Sequence, residues 1–267
     1  PSQTVRLMDR ERNPFLEVAL SATQEASDYI REQSKLTRQI DFKGTTDLVT
    51  QADRGSEEII LRQIEAEYPE HSILAEESDG KRLKSQFTWI IDPLDGTTNF
   101  VHGYPFYAVS IALFKDESPL IGVVSDVFHE QIYSAVLGEG AYCDGEKISV
   151  TGTSKLQKAL LATGFPYIHD EIWQRNMEYF REFTDRCQGV RRAGAAALDL
   201  CHVACGWLDG FWEHGLQPWD SAAGMLIVEE AGGKITRNDG SLFSIFHDNI
   251  VASNGILHKE MLAVINS

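Results

Sequence analysis

Asp92 and Asp95 stand three residues apart around Pro93, and Gly96-Thr97-Thr98-Asn99 follows directly. Proline fixes the backbone between the two acids, and glycine opens positive φ just after them. Fixed carboxylates suit hard divalent cations, which take oxygen ligands. Thr97 and Thr98 are each able to cap a helix, and a helix N-terminus suits a phosphate. A metal site beside an anion site is what metal-assisted hydrolysis of a phosphate ester requires. The same residues also read as an acidic turn, because Asp-Gly is a common turn pair.

Further carboxylates fall where elements should end. Asp47, Asp53, Glu76 and Asp220 join Asp92 and Asp95. Glu76 follows a strand-like run, Asp92 follows another, and Asp220 starts a helix. Strand ends are where layered α/β proteins keep their sites. Crowded carboxylates repel one another unless cations sit among them, so their convergence would itself imply metal. Taken singly, each has a plainer role: Asp220 as a helix cap, Asp53 as a helix-start acid favoured by the dipole, Glu77 as a surface acid. The eight histidines are scattered with no H-x-x-x-H pair, which leaves a histidine metal site or a phosphohistidine without support. Cys201 and Cys205 are spaced to share a helix face. With Cys143 and Cys187, they read as buried thiols of a reducing compartment, hence a cytoplasmic protein.

The elements that must position these groups follow from periodicity. Residues 1–13 mix charge and polarity without a period and are expected to be disordered. Pro14 suits a first helical turn, and Leu16, Ala19, Leu20, Ala22, Ala26 and Ile30 mark one face of a helix running to about Leu36. Residues 39–42 predict a short strand, with Lys43 on a flexible loop behind it. A second helix is expected over 52–68, and residues 72–75 form a strand delivering Glu76. Phe87, Trp89, Ile90 and Ile91 predict a strand that stops at Asp92-Pro93. Residues 107–115, 119–126 and 131–137 read as an antiparallel meander, with a tight hairpin over 138–146. Beyond it, strands are expected at 160–163, 210–214 and 250–253. Helices are expected at 173–186, 195–206, 220–231 and from about 257; Gly232-Gly233 closes the third. The fold class is α+β, layered α/β. Residues 14–152 form an N-terminal half with the metal and phosphate motifs, and 153–267 a C-terminal half with the substrate wall, within one compact unit.

Composition bounds the function. A chain of 267 residues with 43% hydrophobic and 24% charged residues is ordinary for a globular protein. Its 24 basic residues against 40 acidic ones leave a net charge of −16, which gives no general nucleic-acid footprint. No run approaches the roughly 18 apolar residues of a membrane helix, and no signal-peptide core is seen.

The stretch Trp89-Ile90-Ile91-Asp92-Pro93-Leu94-Asp95-Gly96-Thr97-Thr98-Asn99-Phe100 resembles the signature of the inositol monophosphatase family of magnesium-dependent phosphatases. Four more segments match the family in order: residues 47–53, 75–78, 194–199 and 218–224. The resemblance implies the five-layered αβαβα sugar-phosphatase fold, two to three Mg²⁺ ions, a homodimer and sensitivity to lithium. Glu76, Asp92 and the Leu94 carbonyl resemble the ligands of a first ion, and Asp92, Asp95 and Asp220 those of a second. Glu76 and waters would serve a weaker third. Asp53 and Thr97 look like the pair that orients and activates the attacking water. Gly96, Thr97 and Thr98 would hold the phosphate end of the substrate, and Asp95 would be a substrate-binding position as well as a metal ligand. Glu213 matches a position that binds substrate hydroxyls; as a plain residue it reads as a surface acid on an edge strand. Gly194, Ala195 and Ala196 would let a ring approach the backbone, or serve helix packing. Arg191 and Arg192 read as surface or interface arginines, and the helix carrying Trp173 suits a dimer contact.

The leading expectation is Mg²⁺-dependent hydrolysis of a phosphomonoester on a cyclitol or sugar, myo-inositol 1-phosphate first. Relatives of this kind also cleave fructose 1,6-bisphosphate or 3′-phosphoadenosine 5′-phosphate, and both remain alternatives. Thr98-Asn99 resembles the inositol branch. A regulatory binding protein on the same fold, contacting transcription machinery, is the reading from another class.

Overall fold

The computed structural model describes residues 13–36, 40–42, 48–78 and 80–267. The expected disorder of residues 1–12, the Lys43 loop and the carboxylate of Asp47 all lie outside the described residues. Asn13 is ordered: its side chain accepts from Phe15 N at 3.1 Å and Leu16 N at 3.3 Å, capping helix α1 (Pro14–Gln33) with Pro14 in the first turn. The helix stops short of Leu36, which is exposed.

Strands β1 (Ile40–Phe42) and β2 (Leu48–Thr50) pair antiparallel and lead into α2 (Gln51–Glu67). Next come β3 (Ser72–Ala75), β4 (Phe87–Asp95) and the short helix α3 (Thr97–His102). The meander is β5 (Ala108–Lys115), β6 (Ser118–Asp126) and β7 (Gln131–Val136), followed by the hairpin β8 (Gly140–Cys143) and β9 (Glu146–Lys147). The C-terminal part runs β10 (Leu160–Thr163), α4 (Glu171–Arg186), β11 (Gly189–Arg191), α5 (Ala196–Ala204), β12 (Gly210–His214), α6 (Pro218–Glu230), β13 (Lys234–Thr236), β14 (Asn249–Ser253) and α7 (His258–Ile265). Residues 189–191 and 234–236 were not legible as strands; three residues are too few to show an alternation.

One sheet has seven strands in the order β3-β4-β5-β6-β7-β8-β9, antiparallel except between β3 and β4. The other has five, β11-β10-β12-β14-β13, with β11, β10 and β12 parallel. Side chains alternate across a strand, and the cores follow that alternation. Trp89 and Ile91 of β4 face α1 and α2, whereas Ile90 faces a second core with α5 and α6. Phe211 of β12 joins that second core, while Trp212 faces Phe183 of α4 and Met261 of α7. The layers are therefore α1/α2, seven-stranded sheet, α5/α6, five-stranded sheet, α4/α7: the αβαβα arrangement that the sequence resemblance implied. Because α5 and α6 are clad on both faces, they read as near-continuous apolar runs, with Ala222 to Val228 all buried.

Candidate active site

Strand β4 does not stop at Asp92 but continues to Asp95, with a register shift against β5 between those two residues. Pro93 cannot donate to a ladder, so the irregularity falls where it stands. Asp92, 1% exposed, accepts from Leu94 N at 3.1 Å, and the Pro93 carbonyl accepts from Ser56 Oγ of α2 at 2.7 Å. Gly96 at φ 87° then turns the chain, and its left-handed conformation is one that an L side chain rarely adopts. Gly96, rather than Thr97 or Thr98, is the N-cap of α3; both threonines lie inside the helix, and Thr98 is exposed.

That placement frees the Thr97 hydroxyl. It donates toward Asp53 Oδ1 at 2.8 Å and lies 3.1 Å from the Leu94 carbonyl oxygen. Asp53, fully buried, is the third residue of α2 and closes a capping box: its Oδ2 accepts from Thr50 N at 2.7 Å and Thr50 Oγ1 at 2.5 Å. The helix-start role and the site role of Asp53 are thus held by different oxygens of one carboxylate. Glu57 of the next turn accepts from Glu77 N at 2.8 Å and so holds the segment that carries Glu76 after β3.

The middle layer completes the site. Ala195 caps α5 without a side-chain hydrogen bond, and Asp95 of β4 takes that place, accepting from Ala197 N at 2.8 Å. Negative charge at a helix N-terminus is favoured. Asn99 Nδ2 donates to the Phe106 and Ala193 carbonyls at 2.7 and 2.8 Å, tying α3 to the loop before Gly194. Helix α6 begins at Pro218, two residues earlier than expected. Asp220 is therefore its third residue and not its cap: its Oδ2 accepts from Gln217 N at 2.6 Å. Glu213 lies on the central strand β12, half-buried, and not on an edge. It packs against Gly164, where any side chain would collide with its carboxylate. The Gly164 carbonyl is pinned by Asn176 Nδ2 at 2.6 Å, whose Oδ1 accepts from Trp212 Nε1 at 2.8 Å.

Electrostatics show which groups share a space. Burial and then the neighbours Glu76, Asp95 and Asp220 push the Asp92 carboxyl well above the usual carboxylate range. Burial raises Asp95 to about 7, with Glu76 adding to it against the backbone hydrogen bond from Ala197, and burial with Asp95 raises Asp220 to about 7. Glu213 is pushed up by burial and by Asp199, Asp220 and Asp95, against a lowering by Arg192. Burial also raises Asp53, against hydrogen bonds from Thr50 and Thr97. Glu76, Asp92, Asp95, Glu213 and Asp220 therefore act on one another across 145 positions of sequence. As the side chains stand, no group of three or more His, Cys, Asp and Glu among the described residues is arranged to hold an ion. The donor chemistry nonetheless fits one: mutually repelling carboxylates and a carbonyl are the ligand set of a hard divalent cation.

Several residues around the site escaped the sequence reading. In the sequence Asn99 reads only as part of a branch-like pair, not as the tie between α3 and the loop before Gly194, and Asp199 lies inside a matched motif but carries no separate signal. Ser56, Glu57 and Gly164 act through tertiary contacts alone. Arg192 is exposed, with its guanidinium 4.6 Å from the centre of the Phe165 ring. The four cysteines are free, but only Cys201 is fully buried; Cys143, Cys187 and Cys205 are partly exposed. Trp173 lies on α4, whose buried residues are Asn176 and Phe183.

An acidic site at the strand ends of a five-layered αβαβα fold defines the class, a phosphatase. The chain belongs to the inositol monophosphatase family, whose model matches residues 11–267. It is 47% identical over 256 residues to the chloroplastic phosphatase IMPL1 of Arabidopsis thaliana, covering 93% of this chain and 69% of that one. It is 45% identical to the inositol-1-monophosphatase of Synechocystis sp., covering 92% and 87%, and 40% identical to the Nus factor SuhB of Pseudomonas aeruginosa, covering 94% and 96%. Among solved structures it resembles the extragenic suppressor protein suhB of Bartonella henselae, with a TM-score of 0.92 at 36% identity over 96% of this chain and 99% of that one. SaIMPase-II bound to inositol monophosphate matches with a TM-score of 0.79 at 30% identity over 94% and 93%. Among the described residues no helix is long and apolar enough to cross a membrane.

Proposed function

We propose that the protein is a Mg²⁺-dependent phosphomonoester hydrolase acting on myo-inositol 1-phosphate or a related cyclitol or sugar phosphate, by direct attack of water. The observation that carries this reading is the Thr97 hydroxyl, 2.8 Å from a buried Asp53 oxygen and next to the Asp92–Asp95 turn. Glu76, Asp92, the Leu94 carbonyl, Asp95 and Asp220 would hold the Mg²⁺ ions. Such ions lower the pKa of water and neutralise charge on a phosphate. The rest is work for the chain itself. Thr97 has one proton to give, and with Asp53 as its acceptor the hydroxyl oxygen keeps lone pairs for a proton of the attacking water. Asp53 would draw charge through that hydroxyl, while its second oxygen, anchored by Thr50, keeps the pair from drifting. Glu76 would share in activating the water. Gly96, Thr97 and Thr98 would hold phosphate oxygens through backbone N–H and hydroxyl groups. Asp95, Gly194, Ala195, Ala196 and Glu213 would receive the ring and its hydroxyls. The match to a relative carrying inositol monophosphate supports a small phosphorylated substrate; a cytoplasmic homodimer belongs to the same reading.

Phosphate release from myo-inositol 1-phosphate, fructose 1,6-bisphosphate and 3′-phosphoadenosine 5′-phosphate, with Mg²⁺ and with chelator, tests it. The expected result is turnover of the first that vanishes on chelation. Full activity after exhaustive chelation would falsify the metal assignment, and preference for either other ester the substrate assignment. The similarity to a Nus factor favours one second reading, a regulatory partner of transcription machinery. Partner capture that survives Asp95→Asn while turnover is lost would support it.

A further inference from the structure

Asp199 is a buried acid that the chemistry above does not use. It is 2% exposed, on a helix whose neighbours Ala197, Leu198, Leu200 and Cys201 are also buried and apolar. Its carboxyl takes no hydrogen bond among the described residues, and the groups acting on it are burial and Asp95. Taking an acid this far out of water without a partner is costly, and its oxygens are not among the fully enclosed polar atoms left unpaired, so the carboxyl borders open space. Leucine or alanine would pack the same face without that cost, so packing does not account for an acid here.

Its direction follows from helix geometry. Asp199 N donates to the Ala195 carbonyl at 3.0 Å, which places Asp199 one turn beyond Ala195 on the same face. That face meets the phosphate turn, since a Cβ on Gly96 would stand 3.3 Å from the Ala195 Cβ. Helical side chains lean toward the N-terminus, so Asp199 leans along α5 toward the end where Asp95 binds Ala197 N. From the other side, β12 turns Phe211 into the core shared with α5, and Glu213, two residues on, shares that face. Of the charged groups acting on Glu213, Asp199 acts most strongly, and no hydrogen bond joins the two. Two carboxyls thus face one space from a helix and from a strand, beyond the phosphate turn.

We propose that Asp199 is a specificity-determining residue of this site, reading with Glu213 the hydroxyl groups of a polyol phosphate. The inference rests on the polyol-phosphate reading above and deepens it. Each carboxyl reaches a different hydroxyl, so a leaving group without hydroxyls gains nothing from either.

The test compares myo-inositol 1-phosphate with phenyl phosphate, which has no ring hydroxyl, in the full chain with Mg²⁺. Asp199→Ala should raise KM for the inositol ester about tenfold and change that for phenyl phosphate less than about twofold, with kcat for both nearly kept. Asp199→Asn, which still makes hydrogen bonds, should raise the inositol KM about threefold, again selectively. Thermal melts without metal should show Asp199→Ala at least as stable as the unmodified chain, because an unpartnered carboxyl is removed. If the alanine variant does not fold, the selectivity of the asparagine variant decides. Equal shifts on both esters, or no shift, would overturn the inference and leave the phosphatase reading standing. An unmodified chain that hydrolyses neither ester would overturn both.

Discussion

The two sides of the site are held in different ways. On the side proposed to hold the phosphate, hydrogen bonds fix nearly every group: Thr97 to Asp53, Asp53 to Thr50, Ser56 to Pro93, Leu94 N to Asp92, Asn99 to the loop before Gly194. On the side proposed to receive the ring, Glu213 and Asp199 are positioned by packing and by element geometry, against a bare Gly164 and a run of alanines. The contrast suits a division of labour. Reacting atoms tolerate little misplacement, and Asp53, held through both carboxylate oxygens by Thr50 and Thr97, meets that demand most fully. A ring with several hydroxyls needs acceptors in a shaped space, and changing a packed wall residue alters the space without disturbing the reaction centre.

The division can be broken most severely at Thr97. Valine keeps the shape and removes the hydroxyl, which leaves the Asp53 oxygen without its donor. Turnover should fall about a hundredfold, ~2.7 kcal/mol of barrier, with KM little changed. A kcat equal to that of the unmodified protein would remove Thr97 from the chemistry and leave the two sides alike.

Asp220→Asn probes the acid that α6 brings toward Asp92 and Asp95. Asparagine can still accept from Gln217 N, so the helix start should survive. Turnover at low Mg²⁺ should fall about tenfold or more and recover in part at high Mg²⁺. An unaltered Mg²⁺ dependence would return Asp220 to a purely capping role.

On the ring side, Glu213→Gln should raise KM for myo-inositol 1-phosphate about fivefold and that for phenyl phosphate less than twofold, a difference of about 0.5 to 1 kcal/mol in binding. Gly164→Ala should act in the same direction more weakly, because the new methyl meets the movable end of Glu213. An effect of either change on phenyl phosphate equal to that on the inositol ester would mean that the wall supports the reaction centre after all.

The smallest effect is on stability. In metal-free protein Asp95 and Asp220 stand at about 7, against an ordinary value of 3.8. The folded state thus binds more protons than the unfolded chain over that interval. The contribution is fully present below about pH 4 and is lost as pH rises toward 7, so metal-free Tm should drop by about a few degrees between pH 5 and 8. Magnesium needs the ionised carboxylates, so its stabilisation should grow over the same range. A metal-free Tm that rises across this window would contradict the crowding of the acids.

Much of the fold was legible because its periodic elements are long enough to show their faces: residues 72–75, the meander and 210–214 fall within a residue or two of their sequence limits. Errors cluster where tertiary contacts decide. Asp92-Pro93 looks like a strand end because proline cannot join a ladder, yet β4 continues through an irregularity supported by Ser56 of another helix. Thr97 looks like a cap because threonine caps helices well, but Gly96 takes that role and sends the hydroxyl to Asp53.

The family and the layered fold were legible in the chain alone, since motif residues, periodicity and side-chain chemistry are all local properties. Which acids meet is a matter of tertiary packing. Glu76, Asp95, Glu213 and Asp220 come from a loop, a strand end, a strand and a helix, and each local context allows a surface role. Layer stacking brings them together: α5, packed between two sheets, sets its N-terminus against the end of β4, and α6 in the same layer brings Asp220 within reach of Asp95. The same stacking turns Asp199 inward, a residue whose place in a helix predicts only its face and not what that face will meet.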